Sequence, residues 1–368
     1  MKRIIISVTN DITTDRRVLK VAHSCHNNGW EVLLIGRKLK SSIPLQLPFK
    51  YKRLRLFFNR SALFYAAYNI RLFFFLLFAK VDILLSNDTD TLPANYLASK
   101  LRRKKLVFDA HELFPEVPEL VHRPKVKRVW EKIEDWIFPH LKYCYTVCQP
   151  IADYYNQKYN INMKVVRNVP NTSKHNTEKR LDYAGKKVML YQGALNTGRG
   201  LEWLINAMPL VKNTVFVIIG DGDITDELKT LVNNLNLNDK VFFLGPIPGS
   251  ELHKYTPSAD LGVCLLENRG LNYYYSLPNR IFDYLHAGVP VLATDFPEIA
   301  HVVGTHKTGI LINHYEPEYL ATVLNDFFTQ EFDTRHFSEI SKQFCWEEEE
   351  KVMLEIVSNN LYFRRKFF

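Results

Sequence analysis

Residues 276–295, SLPNRIFDYLHAGVPVLATD, gather an amide, a guanidinium and a carboxylate at the start of a helix that runs on into a strand. Ser276 suits an N-cap, Pro278 the first helical position and Gly288 the residue past the end. A helix start offers unpaired N–H groups and the positive end of the peptide dipole, a combination that suits a diphosphate. Asp283, about one turn further in, is placed to accept hydrogen bonds from ribose hydroxyls. The same pattern also serves as an ordinary capped helix of a doubly wound sheet whose acid is merely solvated.

Other stretches carry compatible chemistry. Tyr191–Gly200, YQGALNTGRG, joins a strand to a helix; Gly193, Gly198 and Gly200 let a phosphate approach the backbone, and Arg199 supplies charge. Gly220 and Gly222 in Ile219-Gly-Asp-Gly222, and Pro246 in Phe243-Leu-Gly-Pro-Ile-Pro248, close two more strand ends. Each is equally compatible with an ordinary turn. Phe108-Asp-Ala-His-Glu-Leu-Phe-Pro-Glu116 ends a strand with His111 and Glu112 side by side; the segment from Asn10 to Arg17 follows the first strand, with Asp15 as a cap and Arg16 facing either an anion or water.

In order and spacing these motifs resemble family-4 glycosyltransferases of the GT-B fold over nearly the whole chain. The resemblance implies an α/β protein with two Rossmann-like, doubly wound domains facing one cleft, and a retaining transfer of a hexose-type sugar from a nucleoside diphosphate to a glycan or lipid-linked acceptor. It implies His111, Arg199 and Arg280 as catalytic residues. Gly193, Gly198, Gly200, Gly220, Gly222, Pro246, Tyr275, Pro278, Asn279 and Asp283 would hold the donor, and Asn10, Arg16 and Glu112 would face the acceptor. Two positions depart from the family: Ala194 stands where an arginine is usual, a loss that Arg280 can make good, and Tyr275 replaces one of two customary acids. The expected cofactor is none. Ser86-Asn-Asp-Thr-Asp90 imitates a metal motif, but a GT-B site can hold the leaving diphosphate with dipoles and cations.

The elements that must position these residues are legible as alternation. Strands are expected at Ile4–Val8, Val32–Ile35, Ile83–Leu85, Leu106–Phe108 and Cys144–Val147, with helices between them. After the polar stretch Asn168–Arg180 the alternation restarts at Val188–Tyr191, Val215–Ile219, Val241–Leu244, Leu261–Leu265, Val291–Thr294 and Gly309–Ile312. This gives two domains, 1–167 and 175–345, which the resemblance makes the N-terminal acceptor domain and the nucleotide-sugar domain, and a tail over 346–368 that it sends back onto the first domain. Closure about the linker would exclude water from the reacting sugar.

Composition sets the surroundings. With 368 residues and 46% hydrophobic content the chain can bury two cores. Five scattered cysteines match neither a metal site nor a disulfide framework, which points to a reducing cytosol. MKRIIISV reads as a buried strand, since polar residues follow too soon for a secretory segment. The net charge of +9 clusters at Lys50, Lys52, Arg53, Arg55 and Arg60, beside the aromatic run Arg71–Phe78, and again over Arg102–Lys105. Basic flanks beside aromatics suit an anionic membrane surface, on the inner face of the membrane; the alternative is core phenylalanines beside a solvated face. No nucleic-acid module accompanies the charge. Open alternatives are a nucleotide-sugar 2-epimerase of the same fold and a catalytically silent partner that binds a glycan or membrane complex. A dinucleotide oxidoreductase lacks its glycine fingerprint.

Overall fold

Ile4, Ile5 and Ile6 are at most 2% exposed, as a strand covered on both faces demands. They form β1 (Arg3–Ser7), an inner strand of a seven-stranded parallel sheet ordered β3-β2-β1-β4-β5-β6-β7. Its other strands are β2 (Glu31–Arg37), β3 (Lys50–Leu54), β4 (Ile83–Asn87), β5 (Lys105–Ala110), β6 (Cys144–Thr146) and β7 (Lys164–Val165). The connecting helices are α1 (Arg16–Asn27), α2 (Ser61–Phe78), α3 (Asp88–Arg102), α4 (Pro118–Val121), α5 (Pro124–Ile137) and α6 (Gln149–Tyr159). The computed structural model describes residues 2–13, 15–40, 42–58, 61–121, 123–172, 181–249 and 251–358.

A second parallel sheet, ordered β10-β9-β8-β11-β12-β13, is built from β8 (Lys187–Gln192), β9 (Thr214–Ile219), β10 (Val241–Gly245), β11 (Leu261–Cys264), β12 (Val291–Thr294) and β13 (Gly309–Ile312). Around it lie α7 (Leu201–Ala207), α8 (Thr225–Asn234), α9 (Leu271–Tyr274), α10 (Asn279–His286), α11 (Pro297–Val303), α12 (Pro317–Thr329) and α13 (Phe337–Gln343). The chain thus divides into one unit of Met1–Asn168 with Glu348–Phe368, and another of Val169–Glu347. Both are Rossmann-like, and the fold is α/β of the GT-B type. Strand order reverses between β1 and β4 in the first unit and between β8 and β11 in the second. At such switch points the loops part and leave a crevice at the strand ends, where ligands of this architecture bind.

The last helix, α14 (Trp346–Ser358), begins in the second unit and continues in the first. Glu349 accepts from the Arg167 backbone N–H at 2.8 Å and pairs with its guanidinium at 3.1 Å. Near the other end the Lys105 ammonium donates to the carbonyls of Ile356 and Val357 at 2.7 and 2.9 Å, capping groups a helix end leaves unpaired. Much of the polar stretch read as a linker, residues 173–180, and the basic aromatic tail, residues 359–368, lie outside the described residues.

Several local expectations change. The basic segment around Lys50 is an edge strand, β3, paired in parallel register with β2 from Leu33 opposite Lys50 to Arg37 opposite Leu54. An edge tolerates lysine and arginine, so it lacks the apolar signature of the inner strands. The helix expected to open at Pro278 opens one residue later: Pro278 flanks it and Asn279 is its first residue. Ser276 does not cap it, since its hydroxyl donates to the Tyr273 carbonyl at 2.9 Å. Gly288 does follow the end, with φ +73°.

Candidate donor site and an acid–imidazolium cluster

In the second unit the loops after β8, β9 and β10 meet backbone to backbone. The Gly193 N–H donates to the Ile219 carbonyl and the Gly220 N–H to the Gly245 carbonyl, each at 2.9 Å. Gly220 has φ +145°, and a Cβ there would collide with the Gly193 carbonyl oxygen. Only glycine fits. Gly222 is closed in by Asn196 and Leu195, and its N–H donates to the Thr225 hydroxyl at 2.9 Å. Gly198 and Gly200 both have positive φ, Gly198 lying under the Arg269 side chain; Pro246, beyond β10, is exposed.

Two guanidiniums flank this loop system. Arg280, in the first turn of α10, is 9% exposed and stacks over the Tyr191 ring at 4.4 Å. Its Nη2 lies 3.2 Å from where a Cβ on Gly193 would stand. Arg199 stacks over the Tyr273 ring at 4.8 Å. Arg280 Nη1 and Arg199 Nε are buried without a hydrogen-bond partner, and among the described residues neither side chain is in an ion pair. Both act on the Cys264 thiol at the end of β11: burial raises its pKa and the two cations oppose that rise. A buried cation without a counter-charge is costly to maintain, so Arg280 beside this glycine-lined loop, with the half-buried Arg199 on the same loop system, can take an anion.

Asp283, one turn along α10, accepts a hydrogen bond from the Gln192 amide at 3.1 Å, and the Gln192 carbonyl oxygen accepts one from the Thr256 hydroxyl at 2.9 Å. Gln192 is 3% exposed, so this chain orients the carboxylate from within the core. Asn279 is exposed at the helix start, and Tyr275 is half-buried at the end of α9, its ring 5.5 Å from that of Tyr274.

In the first unit the ends of β4 and β5 hold a cluster of charges. Arg17 grips Asp109 with Nε and Nη2, at 3.0 and 2.8 Å, and its Nη1 donates to the Val166 carbonyl at 2.9 Å. The His111 ring lies between carboxylates: Nδ1 is 3.3 Å from Asp88, and Nε2 is 3.2 Å from Asp109 and 3.3 Å from the Asn87 amide oxygen. Asp88, at φ +56°, also accepts the His111 backbone N–H at 2.8 Å. Burial disfavours the imidazolium, but Asp88 and Asp109 outweigh it and push the His111 pKa up to about 10. Burial likewise raises Asp109, yet Arg17 and His111 bring it down to about 2. Asp90, bonded to the Thr9 hydroxyl, is driven up to about 8 by burial and then by Asp88.

Two family models together cover most of the chain: Glycosyltransferase Family 4 matches residues 14–173 and Glycosyl transferases group 1 matches residues 173–344. The chain belongs to the family-4-like glycosyltransferases of the GT-B fold. Solved structures agree on the fold. Sucrose-phosphate synthase from Thermosynechococcus elongatus superposes with a TM-score of 0.79 at 16% identity, over 99% of this chain and 100% of that one. Anabaena HepE in complex with UDP and glucose gives 0.76 at 16% identity, over 97% and 100%. Among curated relatives, an uncharacterized glycosyltransferase of Methanocaldococcus jannaschii is 28% identical over 170 residues, 44% of this chain and 42% of that protein. The chitobiosyldiphosphodolichol beta-mannosyltransferase of Candida albicans is 25% identical over 45% of this chain and 38% of its own. The alpha-monoglucosyldiacylglycerol synthase of Streptococcus pneumoniae is 32% identical over 34% and 28%. The matched segments span less than half the length of these three relatives.

Within this glycosyltransferase the expected site residues fall into two groups. Gly193, Gly198, Gly200, Arg199, Gly220, Gly222, Pro246, Tyr275, Pro278, Asn279, Arg280 and Asp283 belong to the second unit, at or beside the ends of its strands; Asn10, Arg16, His111 and Glu112 belong to the first. Asn10 accepts the Arg37 backbone N–H at 3.0 Å, while Arg16 and Glu112 are exposed. His111, which the resemblance implies as catalytic, is held between Asp88 and Asp109 as an imidazolium. Sequence reading passed over Tyr191, Gln192, Arg17 and Asp109. A buried polar residue directly before a loop glycine, as in Gln192-Gly193, is the one local signal that marks any of them.

Proposed function

We propose that this glycosyltransferase moves a hexose-type sugar from a nucleoside diphosphate to a glycan or lipid-linked acceptor, with retention at the anomeric carbon. The observation that carries the reading is the pair of guanidiniums beside the Gly193–Gly220 loops, Arg280 buried and Arg199 half-buried, each with one buried nitrogen that has no hydrogen-bond partner. They take the diphosphate, with the start of α10 behind it, and Asp283 holds the ribose. In the reaction the bond from the anomeric carbon to the diphosphate oxygen breaks through an oxocarbenium-like state. The acceptor oxygen forms the new bond on the same face and passes its proton to the departing diphosphate. Fixed cations at the oxygen where charge accumulates stabilise that state more than the ground state, which accelerates transfer.

On this reading the chemistry runs without a metal ion. His111, as an imidazolium, presents positive charge to the sugar and does not act as a base; Asn10, Arg16 and Glu112 face the acceptor. Two relatives whose names carry dolichol and diacylglycerol favour a lipid acceptor, and with the basic aromatic segment they support work at an anionic membrane on its cytoplasmic side, in envelope or exopolysaccharide assembly.

The test is a thermal-shift panel of nucleoside diphosphate sugars, followed by NMR of the product formed with the donor that stabilises the protein. An α-linked product from an α-donor is expected. An inverted anomer overturns retention, a 2-epimerised sugar nucleotide formed without acceptor overturns transfer, and no stabilisation by any donor overturns the site.

A further inference from the structure

Helix α2 is apolar on two faces, and the fold uses only one. Phe64, Tyr68, Leu72 and Leu76, spaced by four, are at most 4% exposed and pack on Ile5, Ile35 and Leu84; the Tyr68 hydroxyl donates to the Val8 carbonyl at 2.6 Å. The outer stripe of Leu63, Ile70, Phe74 and Phe78 is 57–81% exposed, and Phe57 beside it is 94% exposed. A helix apolar all round normally has something covering both sides. At 18 residues α2 is long and apolar enough to cross a bilayer by composition. It cannot do so here without pulling its inner stripe out of the core.

Charge identifies what covers the outer stripe. Between Glu31 and Asp82 the sequence holds ten lysines and arginines and no aspartate or glutamate, so this stretch alone exceeds the +9 of the whole chain. Lys50, Lys52, Arg55, Arg71 and Lys80 are exposed around α2. At its C-terminal end a cavity of about 580 Å³ is lined by Arg3, Glu31, Lys50, Phe74, Phe78 and Lys80. Its one acid, Glu31, is already matched by Arg3 at 2.5 Å and Lys50 at 3.7 Å. A second copy of the same face would bring like charge, whereas an anionic bilayer brings the opposite charge and an apolar layer beneath it.

We infer that the outer face of α2 is the membrane-docking surface: Phe74, Phe78 and Ile70 enter the interfacial layer with the helix lying in its plane, and the Lys50–Lys80 cavity seats an anionic lipid headgroup. This rests on the membrane reading given above and assigns it a surface. Phe73 is not part of it, since that ring packs against the core.

The experiment is co-sedimentation of the full chain with phosphatidylcholine vesicles, with and without phosphatidylglycerol. Binding to the anionic vesicles that weakens with salt is expected. Phe74→Ser/Phe78→Ser and, separately, Lys50→Glu/Lys80→Glu should each lower the partition coefficient about tenfold or more while leaving the unfolding midpoint and donor binding near wild type. If wild type binds anionic vesicles and both variants bind equally well, the membrane reading stands and this surface is wrong. No vesicle binding by wild type removes both. Loss of a dimer in Phe74→Ser/Phe78→Ser, with vesicle binding intact, assigns the face to self-association and overturns the proposal.

Discussion

On the proposed reading, Arg280 is the residue on which donor binding turns. Ala194 leaves no charge at a position where the family resemblance implies an arginine, and the Arg280 guanidinium reaches the neighbouring Gly193 from another element. Arg280→Ala should weaken binding of the nucleoside diphosphate by about tenfold or more, read by calorimetry, since a charge-assisted contact is lost. Ala194→Arg added to that variant should restore part of the affinity, because position 194 is exposed and opens onto the same loop. No recovery would show that the two positions do not serve one anion. Asp283→Ala should cost about tenfold in donor affinity with the fold intact, and an unchanged affinity would remove Asp283 from the ribose. His111 gives a prediction in pH. Its folded pKa of about 10 lies above its ordinary 6.5, so its contribution to stability is complete below 6.5, declines above that and is gone past about 10. The gap in unfolding midpoint between wild type and His111→Gln should therefore narrow as pH rises across that range; a constant gap would mean the ring is not held as an imidazolium.

Among the elements, the strand-end loops carry the tightest constraint. The loop after β9 clears the loop after β8 only because Gly220 has no side chain, and its φ of +145° is one that other residues rarely adopt. Gly220→Ala should cost roughly 1–3 kcal/mol of stability, by denaturant titration, and should loosen donor binding with it. A variant as stable as wild type would show that these loops have slack. The inner strands were legible in the sequence because each is a short run of branched apolar residues bounded by turn-formers. Strand β3 was not, because an edge strand obeys the solvent on one side and its lysines and arginines look like a loop. The start of α10 lies one residue past the expected position for a similar reason: Ser276 and Pro278 both carry helix-start chemistry, and the Tyr273 carbonyl claims the Ser276 hydroxyl first.

At the scale of the molecule, two sheets of the same handed construction each present a switch point, and the charges sit at those points with opposite character. Among the described residues the second unit offers two guanidiniums outside any ion pair, and the first a neutralised cluster of acids around Arg17 and His111. Asp88 and Asp90, the carboxylates of the metal-like motif, are engaged by His111 and Thr9. Exhaustive dialysis against a chelator should accordingly leave transfer unchanged, and recovery of a lost rate on adding Mg²⁺ would overturn the metal-free reading. The sequence by itself determined the two alternating halves, the glycine-bearing strand ends and the family, because strand burial and turn geometry are written in residues next to one another. Only the tertiary structure decided that the Arg280 guanidinium lies against Gly193, that Gln192 bonds Asp283, and that His111 is clamped by Asp88 and Asp109. Those facts depend on side chains from elements far apart in the chain, and their charge states on burial and neighbours that no local pattern records.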